Sequence, residues 1–273
     1  MSETVWLAPP FDRLWAGCDA HAAVEALQGE VFRELEARRT LRTEVEGRGY
    51  FVKIHRGVGW GEIVKNLVSL RAPVLGAGNE YRALRRLAEL GVASMTPVAF
   101  AERGANPARQ HSFIITEELA NTVSLEDHCR DWPTNPPPAA WKHALIRRVA
   151  EMARRMHGGG VNHRDFYICH FLLHLDPAPS RDAFKLSLID LHRAQVRTQT
   201  PHRWRDKDLS SLYFSALNIG LTRRDCLRFL RIYFAQSLRQ ILRNEARLLV
   251  HLDREARRLH ERYLRKYAKG ASS

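Results

Sequence analysis

Cysteine is scarce and scattered in this chain of 273 residues: Cys18, Cys129, Cys169 and Cys226 are the only four, and none are paired at C-x-x-C spacing. That spacing excludes a zinc ribbon or a disulfide framework and predicts a reducing compartment. Long apolar runs are missing too, since none approaches the ~18 residues that a membrane-spanning helix requires. The opening Met1-Ser-Glu-Thr-Val-Trp6 has no basic segment ahead of an apolar core, so no signal peptide is expected. A cytoplasmic protein, at most peripheral to a membrane, follows. Acidic residues are in deficit, with 30 Asp and Glu against 43 Lys and Arg and a net charge of +13. Such a surface attracts nucleic acid, an anionic membrane face, a phosphorylated glycolipid or an acidic protein. Charge alone does not choose among them, but no nucleic-acid recognition motif is present.

The chain is 45% hydrophobic, enough for one large domain or two lobes. A short helix is predicted over Ala20 to Leu27. Alternating runs over Glu30–Leu35, Thr40–Val45 and Tyr50–His55, with a turn at Glu46-Gly-Arg-Gly49, then predict an antiparallel meander. The loop between the first two runs, Leu35-Glu-Ala-Arg-Arg39, contains no glycine. If it covers phosphates, Arg38 or Arg39 supplies charge in place of backbone amides. A short helix is predicted over Gly59–Ser69, broken by Ala72–Gly78. A second helix runs from an Asn79 cap to Leu90, with Tyr81, Leu84, Leu87 and Leu90 on one stripe. Strands are predicted over Val92–Phe100 and Ser112–Thr116. Beyond Leu119 the pattern turns helical: a Ser124-capped helix over Leu125–Arg130, a long amphipathic helix over Ala140–His157, and a helix over Arg203–Leu217. In the last of these, Asp206 and Asp208 cap the helix or hold the neighbouring loop from below. Thr222–Lys269 reads as helical and basic, with 14 Lys and Arg against 5 Asp and Glu from Arg223 onward.

One stretch carries chemistry. His163-Arg164-Asp165 is followed by four residues and His170, resembling the H-R-D-x4-N catalytic loop of protein kinases with His at the Asn position. Phosphoryl transfer needs a carboxylate beside the attacking hydroxyl and a polar group near it to help hold metal on the phosphates. Leu186-Ser-Leu-Ile-Asp190 supplies a second aspartate at a strand end, where D-F-G would stand, but Leu191 and His192 replace the Phe and Gly. Phe171–Leu175 and Phe184–Ile189 form a hairpin that brings Asp165 and Asp190 to one end. His170 and His174, four apart on a strand, do not converge as a zinc pair. Lys53 lies on the third strand, where a kinase lysine meets nucleotide phosphates, and Glu80 starts a helix from which it can reach Lys53. Phe113–Leu119 ends where a kinase hinge lies, with the backbone at Glu117 and Leu119 meeting the adenine edge.

Five segments carry a more specific resemblance: Leu27–Glu36, Tyr50–Gly57, Phe113–Leu119, His163–His174 and Ile189–Gln195. Together they resemble the bacterial lipopolysaccharide core heptose(I) kinases, over nearly the whole chain. The resemblance implies an α+β, bilobal protein-kinase-like fold, with an antiparallel-sheet small lobe over residues 1–118 and a mainly helical large lobe over 119–273. It implies phosphorylation of the first inner-core heptose from ATP with Mg²⁺, on the cytoplasmic face of the inner membrane. By it Asp165 is the catalytic Asp, Lys53 and Glu80 the small-lobe pair, and His170 and Asp190 the metal side. The partners implied are the lipopolysaccharide inner core, the inner-membrane surface through the basic helices, and an acidic protein such as an acyl carrier protein. A kinase for another core sugar (Kdo), a protein kinase and a catalytically silent kinase-like binding module stay open as alternatives.

Overall fold

The computed structural model describes residues 3–35, 37–57, 59–68 and 76–270. The break expected over Ala72–Gly78 falls mostly outside these residues, as does Glu36 of the glycine-free loop. The chain forms two compact units, Met1–Ala88 with Ser94–Ala120 and Leu191–Ala194, and Glu89–Ala93 with Asn121–Asp190 and Gln195–Ser273.

The first unit is built on a six-stranded antiparallel sheet of order β1-β5-β6-β4-β3-β2. Its strands are β1 (Glu3–Leu7), β2 (Glu30–Leu35), β3 (Arg38–Val45), β4 (Arg48–His55), β5 (Pro97–Arg103) and β6 (His111–Glu117). Glu46 and Gly47 join β3 to β4, both with positive φ (51° and 74°), as a two-residue hairpin that follows the strand twist requires. One face packs Leu41, Val52, Ile54, Phe113 and Ile115 against Phe11, Trp15 and Val24 of α1 (Phe11–Leu14), the residue after it, and α2 (Ala20–Glu25). Asp19 caps α2 by accepting from the His21 and Ala22 amides. Further along come α3 (Gly59–Val68) and α4 (Gly78–Glu89), the latter beginning one residue before the expected Asn79 cap.

Two strands depart from the sequence pattern. The opening residues form β1, which pairs antiparallel with β5. The strand expected over Val92–Phe100 starts at Pro97, because the Ala93 carbonyl instead accepts from the Leu188 amide at 2.9 Å and ties that segment to the helical unit.

The second unit is mainly helical: α5 (Leu125–His128), α6 (Ala139–Gly158), α7 (His202–Ser215), α8 (Arg223–Phe234), α9 (Leu238–Asn244) and α10 (Ala246–Gly270). Ser124 caps α5, accepting from the Asp127 amide at 3.0 Å. Helix α6 buries Leu145, Val149, Met152, Ala153 and Met156 on one stripe. Capping boxes start α8 (Thr222 with Asp225) and α9 (Ser237 with Gln240), which divides the predicted helical tail into three. Small sheets join β7 (Thr122–Ser124), β9 (Phe171–His174) and β10 (Leu186–Leu188), and pair β8 (Val161–Asn162) with β11 (Gln195–Val196).

Candidate active site

In the sheet unit, the β4 register places Lys53 between Thr40 of β3 and Ile114 of β6, on the face opposite the apolar core. Glu80, in the first turn of α4, meets it there: Lys53 Nζ donates to Glu80 Oε1 at 2.6 Å. Glu80 is 1% exposed, and a carboxylate so deeply buried requires its cation. His55, two residues along the same strand face, is also buried. Burial, with Arg38 and Lys53 adding repulsion, pulls its pKa down to about 4. Glu117 closes β6, and its N–H donates to the Thr96 carbonyl at 2.9 Å. Any contact from Glu117 to a base edge would therefore use its carbonyl. Leu119 lies in the stretch linking β6 to β7.

In the helical unit, the loop from His163 to His170 rests on α7. Asp208 accepts the His163 amide at 2.7 Å through Oδ2 and the Arg164 amide at 2.8 Å through Oδ1. Lys207 donates to the Arg164 carbonyl, and the Arg164 guanidinium lies 5.1 Å over the Trp204 ring. Residues 204, 207 and 208 share one helix face by the i, i+3, i+4 rule, so one surface grips the loop. The Ser215 hydroxyl, at the end of α7, accepts the Ile168 amide at 3.0 Å. Behind Asp208 stands His157, whose ring nitrogens lie 3.3 Å from Asp208 Oδ2 and 2.8 Å from the Tyr233 hydroxyl. The expectation for the aspartates divides. Asp208 supports the loop, whereas Asp206 turns away and accepts from Arg205 at 2.8 Å, and neither caps α7, which begins after Pro201.

Asp165, half-buried, follows Arg164 directly, and Arg164 is held at φ +74°. His170 donates from Nδ1 to the Asp165 carbonyl at 2.7 Å, which leaves Nε2 as the basic nitrogen of the neutral ring. That nitrogen lies 3.6 Å from Asp190 Oδ2. Asp190 reaches this position at φ +62°, two residues after β10. The hairpin end is drawn together from both sides. The Ile189 amide donates to the His170 carbonyl at 2.9 Å, and His163 Nε2–H donates to the Ile189 carbonyl, also at 2.9 Å. Burial pushes the His163 pKa below its ordinary value, so the ring acts as a neutral brace. His174 of β9 turns to Ser187 Oγ of β10 at 2.9 Å, apart from this group.

The donor set can be tested against a divalent cation. An imidazole fixed through its other N–H to a backbone carbonyl, beside a carboxylate, is the arrangement metal-ligating histidines adopt. Among the described residues no cluster of three or more His, Cys, Asp or Glu could hold a metal. Two protein donors suit Mg²⁺, which takes its remaining ligands from water and substrate phosphates, although a nitrogen donor is softer than that ion prefers.

The helical unit also holds a partly open apolar cavity of about 430 Å³, lined by Leu145, Val149, Leu209, Leu212, Leu230 and Leu252 among others. No pattern in the chain announces it, since helical apolar spacing reads as filled core.

A lysine held by a buried glutamate in one unit, and a braced aspartate loop beside a His–Asp pair in the other, are the kinds of group that phosphoryl transfer uses. Residues 22–233 match the lipopolysaccharide kinase (Kdo/WaaP) family, and the chain belongs to it. It is 66% identical over 256 residues to the lipopolysaccharide core heptose(I) kinase WaaP of Pseudomonas aeruginosa, covering 94% of this chain and 96% of that protein. The protein of the same name from Escherichia coli is 56% identical over 262 residues, covering 96% and 99%. A solved structure described as WaaP in complex with acyl carrier protein aligns with TM-score 0.85 at 60% identity, over 94% of this chain and 99% of that one.

Proposed function

We propose that this chain transfers the γ-phosphoryl group of ATP to the first heptose of the lipopolysaccharide inner core. The observation that carries this reading is the loop anchored by Asp208, which holds Asp165 in place in a chain 66% identical to a heptose(I) kinase. A sugar hydroxyl is not acidic at neutral pH. Asp165 accepts its hydrogen bond and orients the oxygen for in-line attack. As the new oxygen–phosphorus bond forms, the bond from the γ-phosphorus to the bridging oxygen breaks, ADP leaves, and the hydroxyl proton passes to Asp165. Lys53, steered by Glu80, holds the α- and β-phosphates, and the backbone at Glu117 and Leu119 receives the adenine. His170 and Asp190 would hold Mg²⁺, which offsets charge on the phosphate oxygens.

The acceptor is anchored in a membrane, whereas no helix of the described residues is long and apolar enough to cross one. Arg-rich α8 to α10 serve as the contact with anionic lipid at the cytoplasmic face of the inner membrane. The same basic helices suit an acyl carrier protein, the partner named for the similar solved structure. The apolar cavity beneath them suits the aliphatic chain that such a carrier delivers.

The test is transfer of label from γ-labelled ATP to lipopolysaccharide lacking core phosphate, with wild type and Asp165→Ala side by side. Label in the glycolipid with wild type only is the expected result. Folded wild-type protein that binds ATP but labels only a Kdo acceptor or a protein would overturn the heptose assignment. Full activity of Asp165→Ala would overturn the role of that residue.

A further inference from the structure

The registers of the six-stranded sheet align five side chains in one cross-strand row. Trp6 of β1 lies beside Phe100 of β5, Phe100 beside Ile114 of β6, Ile114 beside Lys53 of β4, and Lys53 beside Thr40 of β3. Directly opposed residues of antiparallel strands project to the same face, so the opening strand and the nucleotide-side lysine share one surface. Helix α4 lies on that surface and is held at two consecutive residues. Glu80 receives Lys53 at 2.6 Å. Tyr81 stacks on Phe100, with centroids 4.2 Å apart and planes 1° from parallel. Trp6 closes on Tyr81 at 5.5 Å, and the guanidinium of Arg85, one turn on, lies 5.8 Å over the Trp6 ring.

We propose that β1 clamps α4 and that Trp6 is a positioning residue for the nucleotide, acting through Glu80 on Lys53. The buried Ala83, Leu84 and Leu87 also seat α4, but apolar burial is non-directional, so with the ion pair alone the helix can still roll about its axis. Glu80 and Tyr81 point about 100° apart around the helix, so fixing both fixes the roll. With side chains reaching about 5–6 Å from the axis, a roll of about 20° moves the carboxylate roughly 2 Å. That breaks a 2.6 Å hydrogen bond and lets the lysine head wander from the phosphates. The Trp6–Tyr81–Phe100 stack opposes such a roll, and Trp6 is held by the strand's pairing with β5.

The inference rests on the reading of Lys53 and Glu80 as the nucleotide pair, and a double-mutant cycle separates the two. Losing one aromatic contact, Trp6→Ala raises the KM for ATP about fivefold. The KM for the glycolipid stays within about twofold, and Trp6→Phe restores most of the ATP effect. In a Glu80→Gln background, Trp6→Ala adds less than about twofold, because the route through Glu80 is already cut. A full effect in both backgrounds, or an equal rise in both KM values, would overturn the clamp. If Glu80→Gln leaves the KM for ATP unchanged, the nucleotide reading of the pair falls and the clamp with it. Should Trp6→Ala fail to fold, Tyr81→Leu removes the same stack from the helix side and is judged by the same criteria.

Discussion

Replacing Asp208 by Asn changes one oxygen into an amide nitrogen at a site 1% exposed, and its cost can be worked from two bonds. The wild-type carboxylate satisfies the His163 and Arg164 amides at 2.7 and 2.8 Å. Asparagine keeps one acceptor, weakened by loss of charge, and turns an N–H₂ group toward the other amide. A buried donor left without a partner costs about 1–3 kcal/mol, so Asp208→Asn should destabilise the protein by about 2 kcal/mol. At about 2–4 °C per kcal/mol for a chain of this order of size, the melting temperature falls by about 4–8 °C. Asp208→Leu abandons both amides and costs about 2–6 kcal/mol, close to the whole stability of many domains. The conservative change is thus the informative one. Arg164 stays at φ +74° only while its surroundings enforce it, so relaxing the loop displaces Asp165, the next residue. The kcat should fall at least about tenfold at temperatures well below the melt, equivalent to about 1.4 kcal/mol in the barrier. Urea denaturation followed by circular dichroism, with an unchanged m-value, reports the first effect, and label transfer reports the second. Wild-type stability together with wild-type kcat in Asp208→Asn would refute the reasoning.

Three further outcomes are expected. Lys53→Met strands the buried Glu80 and destabilises by about 3–5 kcal/mol; adding Glu80→Leu restores urea stability but not activity, and recovery of activity would show that the pair is only structural. His170→Ala raises the Mg²⁺ concentration needed for half-maximal rate by about tenfold or more, whereas His170→Asn, which supplies an amide oxygen, retains Mg²⁺ dependence near wild type. An unchanged metal requirement in the alanine variant would remove His170 from the metal side. For His55 the folded pKa of about 4 lies below the ordinary histidine value of about 6.5, so the unfolded chain binds the extra proton. Its stabilising contribution is full above pH 6.5 and declines by up to about 1.4 kcal/mol per unit as pH falls toward 4. Buried His163 acts in the same direction. His55→Leu should flatten the slope of unfolding free energy between pH 6.5 and 5, and a slope unaltered by that change would refute the assignment.

Much of this architecture was legible because it is local. The meander carrying Lys53, the Ser124 cap, the α6 stripe and the hairpin ending at Asp190 each follow from period or capping over a dozen residues. The support under His163 and Arg164 was half legible: the sequence offered Asp206 and Asp208, and helical geometry decided between them. Residue 208 shares a face with 204 and 207, while 206 is turned well away from it. What depends on distant partners could not be read. Glu3–Leu7 becomes a strand only by pairing with β5, and nothing in five residues announces that partner. The cavity is a property of how α5 to α10 fail to fill the space among them, while each helix by itself shows an ordinary apolar stripe. The link from Trp6 through Tyr81 to Phe100 joins three segments across nearly a hundred residues.

The left-handed backbone at Asp190 has a consequence for anyone altering this protein. A non-glycine residue at φ +62° forgoes about 1 kcal/mol or more that glycine would not. A stability-guided redesign that ranks positions by backbone conformation would therefore choose Asp190→Gly early. By the role proposed here, the product would transfer no phosphate whatever it did to melting temperature, and an expression screen would not register that loss. Selection for yield does not protect turnover at this residue, so a library built on the scaffold should hold position 190 fixed.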